Sequence, residues 1–347
     1  MKILKKILSF IIVSILLSHC IENTAYASPN IPIQKPIKVG VFLADLSNVF
    51  NSDLKKSLEE LQKESGNIIQ FTIFDGKANQ SVQNEDISKV LKSGFDVFIV
   101  APISSNVDEV SDILNKIAAA KHPLILLFPT TPSLTNIVKT FPASVIIVGD
   151  TEQGGTLEGK ILADEWKSNK RSLDRNNDDT MQYIMLKGPS NNLLTSGRSK
   201  YAISALNDAG IKTEELVSTF CNWQRDCAKT AIESEFLTFN GKIEAIISNN
   251  DNMAIGAIEA LQKYGFNTGD SSKYIPVVGL GGVDEAKKLI DQGLMTGTVV
   301  QDTKLYSKAI YDVAINLASG EKPIHGTDYK FDETGITIKI PYYEYVK

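Results

Sequence analysis

The sequence predicts an α/β protein with parallel sheets, and three observations support this. Short runs rich in Val, Ile, Leu and Phe recur along the chain, at 38–43, 68–74, 97–100, 124–128, 145–148, 183–186, 216–220, 245–248, 277–280 and 298–300. Most are continuously apolar instead of alternating, the pattern of strands buried on both faces. Stretches with apolar residues at three-to-four spacing, such as 54–63 and 253–263, fall between them as helices. The chain has 347 residues, 43% of them hydrophobic, which is enough for two domains, each with its own core.

Residues 1–27 read as separate from this fold. Lys2, Lys5 and Lys6 precede an apolar run from 7 to 17, and Ala25-Tyr26-Ala27 offers small residues for cleavage before Ser28 and Pro29. This is the three-part layout of a secretory signal, and its apolar run is shorter than the roughly 20 residues of a spanning helix. Leu17-Ser18-His19-Cys20 keeps two other outcomes open, a lipid on Cys20 or an uncleaved anchor. Residues 28–36, with prolines at 29, 32 and 36, form an irregular leader. The expected location is extracytoplasmic.

Composition and charge exclude several functions. With 41 acidic against 36 basic residues the net charge is −5, so no nucleic-acid partner is expected. Three histidines and three cysteines are too few for most metal or redox catalysis. No Gly-x-Ser-x-Gly elbow occurs, and His122 precedes Pro123 at a strand start, the wrong end of a parallel sheet for chemistry. Gly279-Leu280-Gly281-Gly282 has Asp284 where a dinucleotide fingerprint needs its third glycine, and reads as a turn. The strand ends at 44–50, 101–106, 128–131, 188–198, 221–223, 249–251, 281–282 and 301–302 carry mostly amides, aromatics, glycines and hydroxyls. Such a set suits holding a neutral polar molecule without transforming it, so no enzymatic activity is expected.

One loop carries a pattern of its own. Asp174, Asn176, Asp178, Thr180 and Gln182 place oxygens at every second position, the 1, 3, 5, 7, 9 order of a calcium loop, with Thr180 offering its backbone carbonyl. Position twelve is Met185, which cannot ligate, and Asp179 stands where a glycine usually makes the turn. From spacing alone, a calcium loop and an Asp/Asn-rich surface turn are both open. Cys221 and Cys227 bracket Trp223, and in an exported chain they are either a disulfide pinning that loop or two free thiols.

Several segments together resemble a known family. They are Leu186-Lys187-Gly188, the stretch 206–214 (LNDAGIKTE), Asn249-Asn250-Asp251-Asn252-Met253-Ala254 and Gly297-Thr298-Val299-Val300. They are similar to the bacterial galactose/glucose-binding proteins of the methyl-galactoside transport type, within the type I periplasmic binding proteins. The likeness runs over about residues 37–345. It implies two similar doubly wound parallel-sheet lobes joined by three crossing segments, with a sugar in the cleft and closure about the hinge. The implied lobes are 37–149 with about 302–330, and 150–301 with about 331–347.

The resemblance also implies a site. Phe50 and Trp223 match the two rings that sandwich the sugar, one from each lobe, because a pyranose presents C–H faces to apolar rings. Arg198 matches an arginine that donates to sugar oxygens, and Asn250 an asparagine that both donates and accepts. Asn48, Asn192 and Gln301 occupy pocket positions where the family has an aspartate, a histidine and an asparagine. Ala101, Leu194 and Gly281 replace an asparagine and two aspartates, and Asp45 and Asp284 are the nearby carboxylates that could compensate. Glu244 matches the glutamate that completes the family's Ca2+ site. The expected partners are a small-molecule sugar and an ABC-transporter permease, a sensor kinase or a chemoreceptor that reads the closed form, with the chain itself monomeric.

Overall fold

The structure, a computed structural model, describes residues 35–347 apart from Ser105, Phe128 and Asn240. The signal segment 1–27, Cys20 and all of the leader except its last two residues lie outside the described residues. Among the described residues no helix is long and apolar enough to cross a membrane.

Two six-stranded sheets form the frame. The first has the order β11-β5-β4-β3-β1-β2, with β1 Ile37–Leu43, β2 Ile69–Asp75, β3 Val97–Val100, β4 Leu124–Leu126, β5 Ser144–Gly149 and β11 Thr337–Ile340. All its pairings are parallel. The second has the order β12-β10-β9-β8-β6-β7, with β6 Thr180–Lys187, β7 Lys212–Phe220, β8 Ala245–Ser248, β9 Val277–Gly281, β10 Gly297–Val300 and β12 Tyr343–Val346. Only β12 runs antiparallel, against β10. The central strands β3 and β8 are buried at every residue, as their unbroken apolar runs require.

Helices follow the strands in turn: α1 Val49–Glu64, α2 Gln80–Val90, α3 Val107–Ala119, α4 Pro132–Lys139, α5 Thr151–Leu173, α6 Leu193–Asp208, α7 Arg225–Phe239, α8 Asp251–Lys263, α9 Asp284–Asp291 and α10 Thr303–Ala318. Helix α10 returns to the first lobe, where Tyr306, Ala309, Ile310 and Val313 join a core with Val39, Val41, Leu54 and Leu58. His122 is structural, its Nε2 donating to the Leu91 carbonyl at 2.8 Å beside the Phe98 ring.

The third crossing differs from the expectation. Strand β11 pairs with β5 in the first sheet, so residues 337–340 belong to the first lobe, and only β12 reaches the second. The chain therefore crosses at Pro341-Tyr342, not near 330. The other two crossings are Gly149–Asp150 and Gln301–Asp302. Gln153, three residues past the first of these, accepts from the Tyr342 amide of the third crossing at 2.7 Å.

Candidate functional site

Parallel strands end at one rim of each sheet, and there the chain turns straight into helices. The two rims face each other across a cleft of about 920 Å³. Asparagine caps five of the helices that start there, three of them at the cleft. Asn48 accepts from the Asn51 amide at 3.4 Å, Asn192 from Leu194 at 2.8 Å and Asn250 from Met253 at 3.0 Å. Capping satisfies amides that helix geometry leaves unpaired. Each cap uses one lone pair of the side-chain oxygen and leaves the other, with the amide nitrogen, for a ligand. Asn250 is committed further, because its Nδ2 donates to the Trp223 carbonyl at 3.2 Å. One amide N–H and one oxygen lone pair of Asn250 are left for a ligand.

All seven residues singled out in the sequence line this cleft: Asn48, Phe50, Asn192, Arg198, Trp223, Asn250 and Gln301. Phe50 stands on the first lobe with its ring edge-on to Tyr306, centroids 5.2 Å apart. Trp223 stands on the second. A Cβ at Gly188 would overlap the indole, so glycine there lets the ring lie against the end of β6. Asn222 and Trp223 both adopt left-handed backbone, with φ of 50° and 69°, a conformation that costs about 1–3 kcal/mol for a non-glycine residue. The Cys221–Cys227 disulfide, with Cα atoms 5.3 Å apart, closes the loop that holds this turn.

Arg198 is 4% exposed. Its Nη1 donates to the Asn249 carbonyl at 2.8 Å, its Nη2 to Gln301 Oε1 at 3.3 Å, and its guanidinium lies 5.7 Å from the Trp223 ring centre. Gln301 in turn donates to the Tyr306 hydroxyl at 3.3 Å, so the arginine is tied to the second crossing. Ala101, Leu194 and Gly281 also line the cleft, leaving its wall without the asparagine and two aspartates that the resemblance implies there. Asp45 also lines the cleft, each of its carboxylate oxygens accepting once from Ser47, from its amide and its hydroxyl. Asp284 lines the cleft from an exposed position at the start of α9.

One central residue was not singled out in the sequence. Asp251 is 1% exposed and accepts from the amides of Gly282 at 2.6 Å and Val283 at 2.9 Å and from the Thr298 hydroxyl at 2.6 Å. It fixes the Gly281-Gly282 turn to β10 and the floor. Burial pushes its carboxyl above the usual range, while these hydrogen bonds and the Arg198 charge pull it back. Its sequence signal was an acid directly after a buried strand and an N-cap.

The loop 174–182 folds back on itself. Asp174 accepts from the amides of Asp178 and Asp179, and Asp178 accepts from Thr180 at 2.9 Å. The amide nitrogens of Asn176 and Gln182 converge on Asp178 Oδ2 at 2.8 and 2.9 Å. Glu244, 1% exposed, accepts from the amides of Arg175 and Gln182. Burial pushes the Glu244 carboxyl up, and the charges of Asp174 and Asp178 push it further. Asp179 has φ of 63°, the left-handed turn the pattern needs, and pairs with Lys170. Among the described residues no three acidic, histidine or cysteine side chains gather closely enough to hold a metal by themselves.

Two sheets of like topology, three crossings and a ligand-sized cleft between strand ends define a hinged two-lobe binding protein of the type I periplasmic class. Residues 39–322 match the periplasmic binding protein domain family, and the chain belongs to it. It is 29% identical over 309 residues to the D-galactose/methyl-galactoside binding periplasmic protein of Haemophilus influenzae, covering 88% of each chain. It is 24% identical to the ribose import binding protein of Bacillus subtilis, covering 88% of this chain and 90% of that one. A solute-binding protein of an ABC transporter from Actinobacillus succinogenes, solved with bound D-allose, superposes with a TM-score of 0.73 at 20% identity, covering 90% of this chain and 98% of that one. The myo-inositol binding protein of Caulobacter superposes at 0.70 with 21% identity, covering 91% and 95%.

Proposed function

We propose that this chain is a non-enzymatic, extracytoplasmic binding protein that closes on a neutral monosaccharide and presents it to an ABC-transporter permease. The observation that carries the reading is that one aromatic ring from each lobe and the buried Arg198 line a single cleft. A sugar fits this chemistry, with C–H faces against rings and hydroxyls accepting from the guanidinium and the amide nitrogens. The relatives named above bind galactosides and ribose. The replaced carboxylates leave the particular sugar open, because each charge-assisted bond to a hydroxyl is worth about 1.5–3 kcal/mol.

Trp223 supplies the test. The other tryptophan, Trp166, is 2% exposed in the second lobe's core, so a change in emission on titration reports the cleft. D-Galactose, D-glucose, D-ribose, D-allose and myo-inositol are the panel, with D-galacturonate as a charged control. At least one neutral member should shift the emission with saturation. Silence from all of them, or binding of the uronate alone, would count against a neutral-sugar site.

Asp174, Asn176, Asp178, the Thr180 carbonyl, Gln182 and Glu244 are proposed to hold Ca2+ in the same protein. Turning over the two amides that donate to Asp178 exchanges two nitrogens for two oxygens. The carboxylates, amides and carbonyl then make the oxygen-rich set a hard cation takes. The ion would supply charge neutralisation and stability, remote from the cleft. After chelation, adding calcium at about 100 times its Kd should stabilise the fold by about 2.7 kcal/mol, read as a rise in Tm of several degrees. Asp178→Ala should abolish the rise. A calcium-independent Tm in the parent protein would refute the site.

A further inference from the structure

Parallel strands deliver their last residues to the cleft, and those of β3, β4 and β5 are apolar. Ala101, Pro102 and Ile103 follow β3, Leu127 and Pro129 follow β4, Val148 stands next to the end of β5, and all six line the cleft. The backbone of this wall is as closed as its side chains. The Ala101 amide donates to the Phe42 carbonyl at 2.9 Å, the Leu127 amide to the Val100 carbonyl at 2.8 Å and the Ile103 amide to Gln80 Oε1 at 2.9 Å. Proline at 102 and 129 has no N–H to give. The Ala101 carbonyl accepts from Gln83 Nε2 at 2.9 Å, and Val148 is paired with Lys339 in the β5–β11 ladder. Gln80 and Gln83 of α2 thus satisfy polar backbone of this wall from within the protein.

The groups across the cleft are of the opposite kind. Asn192, Arg198 and Asn250 belong to the second lobe and Gln301 to the second crossing. The buried Arg198 keeps an Nε donor without a hydrogen-bond partner, and Asn250 keeps one amide N–H. On the first lobe, Asp45 and Asn48 come from the turn between β1 and α1, not from the ends of β3, β4 and β5. A sugar hydroxyl both donates and accepts, and burying one without partners costs affinity. A fully hydroxylated hexose carries such groups around its whole rim. With its rim satisfied on the second lobe, it turns other hydroxyls to a wall where the amides of Ala101, Ile103 and Leu127 are already engaged.

We propose that the ligand is a 6-deoxyhexose, a neutral sugar with a methyl group where a common hexose has a hydroxymethyl, and that Ala101, Ile103 and Leu127 form the subsite for that methyl. The proposal rests on the reading of the cleft as a sugar site and names the class of sugar. A methyl on the ring carbon removes the hydroxyl altogether and buries apolar surface against apolar side chains. An alkyl group on the anomeric oxygen fits less well, because its ether oxygen still needs a donor that these three residues do not offer. Ala101 decides the preference most directly, since the resemblance implies an asparagine amide at that position.

Sugar pairs that differ only in this hydroxyl test the proposal by calorimetry on the full chain. They are D-fucose against D-galactose, L-fucose against L-galactose and L-rhamnose against L-mannose. At least one deoxy member should bind about 10–100-fold more tightly than its hydroxylated partner. Ala101→Asn, which puts an amide into the wall, should cut that ratio by about tenfold. Equal affinities within every pair, tighter binding of the hydroxylated members, or a ratio that ignores Ala101→Asn overturn the proposal. A gain for methyl β-D-galactoside over D-galactose without one for D-fucose overturns it too, since the apolar group then sits on the anomeric oxygen. If D-ribose, D-allose or myo-inositol binds and no deoxyhexose does, the sugar reading stands and the deoxyhexose class falls. If no neutral sugar binds at all, it is the sugar reading itself that fails.

Discussion

Replacing Trp223 by alanine is expected to weaken binding of any sugar the parent protein holds by about 100-fold, a loss of about 2.7 kcal/mol. Three contributions add. The indole is the largest of the aromatic rings lining the cleft, and an aromatic contact of this size buries about 150–250 Å². The ring also lies 5.7 Å from the Arg198 guanidinium, so its removal exposes that charge to water and weakens what the arginine offers a hydroxyl. Finally, the left-handed turn at Asn222-Trp223 is held by the disulfide and by Asn250, so the ring is already in place before the ligand arrives. Calorimetry on the variant provides the check, with Trp223→Phe as the companion that should recover part of the loss. An alanine variant that binds as tightly as its parent would place the sugar elsewhere.

The second large effect is on stability. Asp251→Ala should destabilise the protein by about 3–5 kcal/mol, because it leaves the Gly282 and Val283 amides and the Thr298 hydroxyl without their shared acceptor in a buried place. For a lobe of this size that is a fall in Tm of about 10 °C. Denaturant and thermal unfolding would measure it. Asp251→Asn keeps shape and one acceptor, and should cost less than the alanine. Sugar affinity should fall as well, since Asp251 is one of the charges that balance Arg198. A loss under about 1 kcal/mol would show that the Gly281-Gly282 turn is held by other means.

How far these features were legible in the sequence depended on burial. Strands β3 and β8 were readable to the residue because both faces are covered and their one polar residue, Ser248, stands at the end of β8. Strand β7 was read only from 216, because it is an edge strand whose first half, with Lys212, Glu214 and Glu215, stays wet and carries charge. Strands β11 and β12 left no signal. They are four residues each, carry exposed residues such as Lys339 and Tyr343, and are separated by two residues with no helix between, which displaced the third crossing in the reading.

The site was legible by a different route. The rings, the arginine and the amides at the strand ends were found as types and positions. That three asparagine oxygens at the cleft cap helices follows from backbone geometry, which sequence does not show. The buried Glu158 of α5 was invisible for a related reason: an acid between two glycines on a helix reads as a solvated face, and only the close approach of α5 to α6 turns it inward.

The decisive measurement is a crystal structure of the protein with the sugar that shifts Trp223 emission most strongly. An intact, uncharged ring stacked between Phe50 and Trp223, with an oxygen within about 3.2 Å of an Arg198 nitrogen, is the result expected of this cleft. A ligand seated outside the two rings, or one recovered with a broken glycosidic or C–O bond, would contradict a site built to hold a sugar and hand it on unchanged.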